Sequence, residues 1–247
     1  MISSKSYSFV FSQNGWFGKL LVGGLLMSLP LIQAVTIGYQ MKVISRLLER
    51  SEEAMPDWSD TFDLWLQGMK VWLANKLLYA PVAVATALTW SVTSGALVLA
   101  YRQFEADGFG EVLQVAQGVR VSAPLILGLA AAMASIYALA RLLIPAMTLR
   151  VTETGSFFSA FNPIGVLGFI FKNLGAYVLT TAMIFVILMV ASTVILPIAA
   201  PLIAVMGLGA LFGWFFLSLV RFYLRLVWAH ALVTMRLGAD TALSQNT

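Results

Sequence analysis

The chain has 247 residues, 60% of them hydrophobic and 11% charged, where a soluble domain carries roughly 45–50% and ~25%. A soluble fold of this length cannot hide so much apolar surface, because much of any folded surface must face water. This excludes a cytosolic enzyme, a secreted scaffold, a disordered chain and a nucleic-acid binder. The lack of cysteine excludes disulfides, thiolate metal sites and cysteine nucleophiles, and a single histidine, His230, excludes multi-histidine zinc and bis-histidine haem. The net charge of +4 suits anionic headgroups.

Four long runs carry no charge: residues 20–41, 77–101, 121–140 and 173–220. About 20 residues cross ~30 Å of hydrocarbon as a helix, so the first three runs fit one span each. The fourth fits two, with Pro197 and Pro201 supplying a turn. We expect an all-α, polytopic transmembrane bundle forming a single membrane domain over residues 1–247. Its five spans fall at about 17–39, 74–101, 122–149, 173–196 and 201–223, and a sixth crossing stays open. A β-barrel would need alternating strands, and these runs do not alternate.

Taken in chain order, the N-terminus imitates a signal peptide through Lys19, but no small-x-small site follows, and Ile2 excludes N-myristoylation. Span one carries Pro30 at its middle, which leaves two shapes open: one kinked helix, or a short hairpin that re-enters the same face. Between spans one and two, Trp58, Phe62, Trp65, Leu66, Met69 and Trp72 recur at helical spacing. Indole prefers the headgroup level, so residues 57–72 read as a helix lying in the interface, with Trp58, Trp65 and Trp72 on one stripe. Aromatic or amphipathic stretches also precede other spans, at 7–17, more weakly at 109–119, and at 157–171. Ser8–Leu21 (SFVFSQNGWFGKLL) faintly echoes Ser156–Phe169 (SFFSAFNPIGVLGF), as a duplicated unit would.

Basic residues set the expected orientation. With five spans, ten of them (Lys42, Arg46 and Arg50 among these) fall on one side against four on the other, Lys5, Lys19, Arg102 and Arg120. That places residues 42–76 and the C-terminus in the cytoplasm.

The stretch Trp16–Gly24 (WFGKLLVGG), Leu29-Pro30, Gly38-Tyr39, Met55–Asp60 (MPDWSD), Phe62 and Gly68, followed by Pro81, resembles a prokaryotic integral membrane family, domain of unknown function 4013. The resemblance is specific over residues 16–81. Beyond them it is general, through Ser159-Ala160-Phe161 and Ala229-His230. The chain has Ser59 where that family usually has an acid, and Asn162-Pro163 inside the second aromatic stretch. The resemblance implies an integral membrane protein and carries no known activity.

Candidate chemistry is sparse. Arg141 is the one ionisable residue well inside an expected span, where it either snorkels to headgroups or pairs with Asp60 or Asp63. His230 reads as an interfacial side chain, with axial ligation of a pigment or haem the weak alternative. Arg221 and Arg225, and likewise Lys42 and Arg46, stand four apart and so share helix faces. With Lys70 and Lys76 they would form a basic collar against anionic lipid or an acidic partner. Gly209-x-x-x-Gly213 and the small residues around Gly128 allow close helix approach. No acid pair or Ser–Lys dyad lies in the spans, and no phosphate-binding glycine loop occurs. These residues point to a non-enzymatic accessory or scaffold subunit of the prokaryotic inner membrane, with no cofactor or metal, contacting lipids and other membrane subunits. A small transporter or lipid-handling protein is the alternative.

Overall fold

The computed structural model describes residues 4–29, 31–107, 112–206 and 209–244, and their side chains outside residue 4 and the ranges 88–127, 129, 195–212 and 239–244. Every described element is helical, and the fold is all-α. In order they are α1 (Ser4–Ser8), a 3-10 turn (Phe9–Ser12), α2 (Trp16–Ser28), α3 (Gln33–Leu48), α4 (Thr61–Asp107), α5 (Val112–Thr154), a second 3-10 turn (Phe157–Phe161), α6 (Pro163–Lys172), α7 (Leu174–Met206) and α8 (Gly209–Ser244). Among the described residues, three stretches are long and apolar enough to cross a membrane: Ala130–Thr154, Leu174–Val194 and Gly213–Gly238. They mark the chain as a membrane protein.

Local chemistry explains the helix ends. Gly15 takes a left-handed conformation, φ 63°, to lead into α2. Leu29 is extended before Pro30, because proline pushes its predecessor out of the helical region. The C-terminus of α3 closes as a Schellman motif: the Ser51 amide donates to the Arg46 carbonyl, and the Arg50 amide to Leu47. Arg50 holds the left-handed position at φ 56°, where glycine is usual. Asn162 caps α6 by accepting from the Gly165 amide, and Pro163 follows at the first helical position.

The structure corrects several expected boundaries. The first expected span is two helices, α2 and α3; Pro30 itself lies outside the described residues. α2 has only 13 residues, ~20 Å at 1.5 Å per residue, too short to cross hydrocarbon. No turn forms at Pro197–Pro201, because α7 runs on to Met206. A proline removes one helical hydrogen bond, and a helix in lipid has no water to compete for the rest. Residues 57–72 are not a separate helix either. The helix starts at Thr61 and continues through Pro81 without a break to Asp107. Of the weak aromatic stretch at 109–119, residues 109–111 lie outside the described residues.

The chain divides into two compact units, Met1–Ala74 with Leu142–Thr247, and Asn75–Arg141. The smaller unit takes the later part of α4 and the earlier part of α5. Within it the Tyr79 and Tyr137 rings stand 5.5 Å apart, and the Thr86 hydroxyl meets the Met133 sulfur at 3.5 Å. In the larger unit α2, α3 and α7 all pack on α8. Its core includes Tyr39, Ile44, Leu64, Leu149, Phe222 and Leu226. α3 crosses the start of α4 so closely that a Cβ on Gly38 would fall on the Leu64 carbonyl, and one on Gly68 on the Ala34 carbonyl.

Candidate functional site

The densest polar arrangement in the larger unit is a latch on the α3–α4 connection, residues 49–60. Lys19, buried on α2, donates to the Met55 carbonyl at 2.8 Å, and its ammonium lies 3.2 Å from Glu53 and 3.3 Å from Asp57. The Gln13 side-chain oxygen accepts from the amides of Ala54 and Met55. Arg46 donates to the Glu53 carbonyl at 3.2 Å. Tyr39, fully buried on α3, donates to the Pro56 carbonyl at 2.8 Å. Burial first, and then the carboxylate of Asp57, push its hydroxyl pKa up, so the group is a neutral donor. The Trp58 ring stacks on Tyr39 at 4.1 Å and tilts against Phe222 at 6.0 Å. The Phe222 ring fills the space that a side chain on Gly23 would need.

This geometry places the residues that carried the resemblance. Gly23, Tyr39, the Met55–Trp58 turn and Lys19 meet around one point, while Gly38 and Gly68 bring α3 and α4 together beside it. Their common task is positional. The glycines allow backbone approach, the tyrosine and lysine satisfy loop carbonyls, and the tryptophan seals the junction.

A second cluster joins four helices. Glu153, near the end of α5, accepts from Arg150 at 3.1 Å and from Arg236 of α8 at 2.7 Å. Lys70 of α4 donates to the Gly155 carbonyl at 2.9 Å, and the Arg150 guanidinium lies over Gly165 of α6. A third contact lies in α5 itself. The Tyr177 hydroxyl of α7 donates to the Leu142 carbonyl and accepts from the Ala146 amide at 3.2 Å. Those two groups would otherwise bond to each other in a regular turn. Pro145 lies between them, and side-chain insertion into the ladder is a recognised accompaniment of such prolines.

The expected contact residues have mostly internal partners. Lys42 lies 3.8 Å from Asp60. Arg225, half-buried, donates to the Thr36 hydroxyl at 2.9 Å, and Arg221 lies over the Trp214 ring at 5.7 Å. Both arginines lie within the apolar stretch Gly213–Gly238 of α8. Trp58 precedes α4 and lies inward on Tyr39, which removes it from the expected stripe. Trp65 and Trp72 are half-buried on α4. The face α4 gives to the core is Leu64, Gly68, Val71 and Ala74, while Phe62 and Leu66 stay exposed. Arg141 donates to the Tyr137 hydroxyl at 3.0 Å on its own helix. Its expected partners are engaged elsewhere, Asp60 by Lys42 and Asp63 by the Gln67 amide. His230 shares a hydrogen bond of 2.9 Å with the Ser6 hydroxyl and lies 4.8 Å from the Phe9 ring.

Sequence reasoning missed Lys19, Tyr39, Tyr177 and Glu153. Two signals were present: Glu153 is the only acid between Glu111 and Asp240, and Lys19 interrupts an apolar stretch. Among the described residues no group of three or more His, Cys, Asp and Glu side chains could hold a metal ion.

The family described as protein of unknown function (DUF4013) matches residues 21–200. The chain belongs to that family. No curated protein and no solved structure matches it.

Proposed function

We propose that this DUF4013 protein is a non-enzymatic integral membrane protein, an accessory or scaffold subunit that packs with other membrane proteins and with lipid. One observation carries this reading. The apolar stretch of α7, Leu174–Val194, is far more exposed than that of α8, Gly213–Gly238. α7 turns Val178, Leu179, Phe185, Val186, Met189 and Val190 outward. Such a face needs a lipid or protein cover, since water would oppose so much exposed apolar area. In lipid, helices associate through close packing rather than through hydrophobicity, and an uncovered face of this kind suits a partner helix. The latch supports a structural role, because its cations already serve carbonyls and carboxylates of their own chain. The basic residues set apart by the sequence, Lys42, Arg46, Arg221 and Arg225, would then tie the chain's own elements together rather than act on a substrate. We place the protein in a prokaryotic inner membrane. The ten-to-four basic count, and with it the expected cytoplasmic C-terminus, does not carry over to this fold, because Lys19, counted on the side opposite residues 42–76, meets Glu53 and Asp57 of the α3–α4 connection, and Ser6 meets His230.

Native mass spectrometry after extraction in mild detergent tests this. A stoichiometric membrane-protein partner is the expected result, and a lone chain carrying only lipid overturns the subunit reading. A small transporter is the second reading, favoured by the Tyr177 hydroxyl standing in the ladder of α5, since opened helices serve transport sites. Solute flux into proteoliposomes of the isolated chain would establish it instead.

A further inference from the structure

The segment 155–173 joins the span-length stretches Ala130–Thr154 and Leu174–Val194. α6 within it has ten residues, ~15 Å at 1.5 Å per residue, half of the ~30 Å hydrocarbon thickness. It cannot cross, so it stays at the face where α5 leaves the membrane and α7 enters. Its inner side is packed, with Ala160, Val166 and Ile170 buried. Its outer side is a row of large apolar side chains: Phe158, Phe161, Ile164, Leu167, Phe171 and Leu174. Within α6, Ile164, Leu167 and Phe171 stand three and four residues apart and share one side of the helix; Phe158 and Phe161 precede it in the 3-10 turn and Leu174 opens α7. Phe158 is 79% exposed and Ile164 85%. After the break at Asn173, α7 begins with Leu174, Val178 and Leu179 exposed as well. The exposed cations Lys70 and Lys172 flank it, and Lys70 is anchored on the Gly155 carbonyl at the start of the segment.

We propose that this row is inserted into the headgroup–acyl boundary of an anionic bilayer, as a half-embedded anchor between two spans. The inference rests on reading α5 and α7 as membrane spans. A bilayer fits because exposed apolar side chains stand on both sides of the Asn173 break, Ile164, Leu167 and Phe171 on α6 and Leu174, Val178 and Leu179 on the span-length α7. Its flanking lysines stand at the chain's exit from the membrane, where basic side chains meet anionic headgroups. The apolar body and charged rim match a surface-lying membrane segment.

The cysteine-free chain suits a direct test. Phe158→Cys, Ile164→Cys and Phe171→Cys are each given a nitroxide label in the full chain, in vesicles of phosphatidylcholine and phosphatidylglycerol. Collision with oxygen, which concentrates in hydrocarbon, is compared with collision with a water-soluble nickel chelate. All three side chains are exposed, so the replacements leave packing intact. Phe185→Cys in α7 reports hydrocarbon, and Glu52→Cys in the α3–α4 connection reports water. The expected result is a severalfold oxygen excess at all three row positions, approaching that of Phe185→Cys. A nickel excess like that of Glu52→Cys overturns the anchor. Low collision with both reagents overturns it too, and shows a protein cover instead. If the Phe185→Cys label itself meets nickel, the span reading fails and the anchor falls with it.

Discussion

Two segments of the larger unit share one local plan and meet different fates. In residues 8–28 a 3-10 turn is closed by the Ser12 hydroxyl on the Phe9 carbonyl at 2.7 Å, and α2 follows. In residues 156–172 the Ser159 hydroxyl closes a 3-10 turn on the Ser156 carbonyl, also at 2.7 Å, and α6 follows. Each short apolar helix then breaks, and the next helix carries a fully buried tyrosine, Tyr39 or Tyr177. The faint echo in the sequence is therefore an echo in structure. What differs is cover. α2 docks on α8 because Gly23 and Gly24 remove side chains from the contact, with Leu219 3.0 Å from where a Cβ on Gly24 would stand. A single cation, Lys19, then ties α2 to the loop. On α6, Gly168 faces open space, and at Gly165 the missing side chain makes room for the Arg150 guanidinium rather than for a neighbouring helix. The comparison teaches that turn chemistry sets the shape of such a segment, whereas glycine placement and one buried charge decide what it packs against.

The largest effect that would break this comparison is at the glycines. Gly23→Ala drives a methyl group into the Phe222 ring, which is fully buried against the stacked Tyr39 and Trp58 rings and has nowhere to go. Overpacking of this kind costs ~1–3 kcal/mol, and the rigid surroundings put this case near the top of that range. Gly168→Ala meets nothing within 4 Å and exchanges a poor helix former for the best one, gaining up to ~1 kcal/mol. Detergent-titration unfolding midpoints should therefore move in opposite directions. A shift of the same sign for both would show that α2 and α6 are covered alike.

Lys19 gives the next effect. Its carboxylate partners are 55% and 83% exposed at Glu53 and Asp57, so solvent screens those pairs, and Glu53→Gln or Asp57→Asn should cost under ~1 kcal/mol. The hydrogen bond to the Met55 carbonyl is different. It is buried and charge-assisted, worth ~2 kcal/mol, and Lys19→Met leaves that carbonyl without its donor. Lys19→Met should also open residues 49–60 to limited proteolysis while the two acid variants stay resistant. Equal cleavage in all three would assign the latch to the carboxylates.

The all-α class was legible because uncharged runs of this length admit nothing else in lipid. The boundaries were less so. Pro197 and Pro201 signal a turn when proline is weighed as it behaves in water, yet α7 continues through both. The seven-residue spacing of Trp58, Trp65 and Trp72 is real, but a stripe exists only if all three sit on the helix, and α4 begins at Thr61. The basic pair Arg221 and Arg225 was visible from spacing. That Arg225 turns inward was not, because its partner Thr36 lies 189 residues away. The same holds for Glu153 and Arg236, which are 83 residues apart. Local pattern reports which face is apolar, and only the tertiary fold reports which polar group answers which.

The two buried tyrosines give the smallest effect and the finest test of the repeat. Tyr39 donates one hydrogen bond, to the Pro56 carbonyl at the buried start of the MPDWSD turn. Tyr39→Phe leaves that carbonyl unanswered, and an orphaned buried acceptor costs ~1–3 kcal/mol; a neutral pair belongs at the low end, near ~1.5 kcal/mol. Tyr177 makes two contacts, so a count of bonds would rank Tyr177→Phe as the costlier change. The geometry argues the reverse. Its partners, the Leu142 carbonyl and the Ala146 amide, are one helical turn apart and are each other's natural partners. Once the hydroxyl is gone the turn can close on itself, and the net loss falls below ~1 kcal/mol. Re-closure predicts that the Ala146 amide keeps its protection from hydrogen exchange in Tyr177→Phe, while Tyr39→Phe lowers protection around residues 49–60. If the Ala146 amide becomes labile and Tyr177→Phe costs more than Tyr39→Phe, the turn at Pro145 does not re-close. The hydroxyl would then be a structural member of α5, and the second half of the repeat would depend on its tyrosine more than the first.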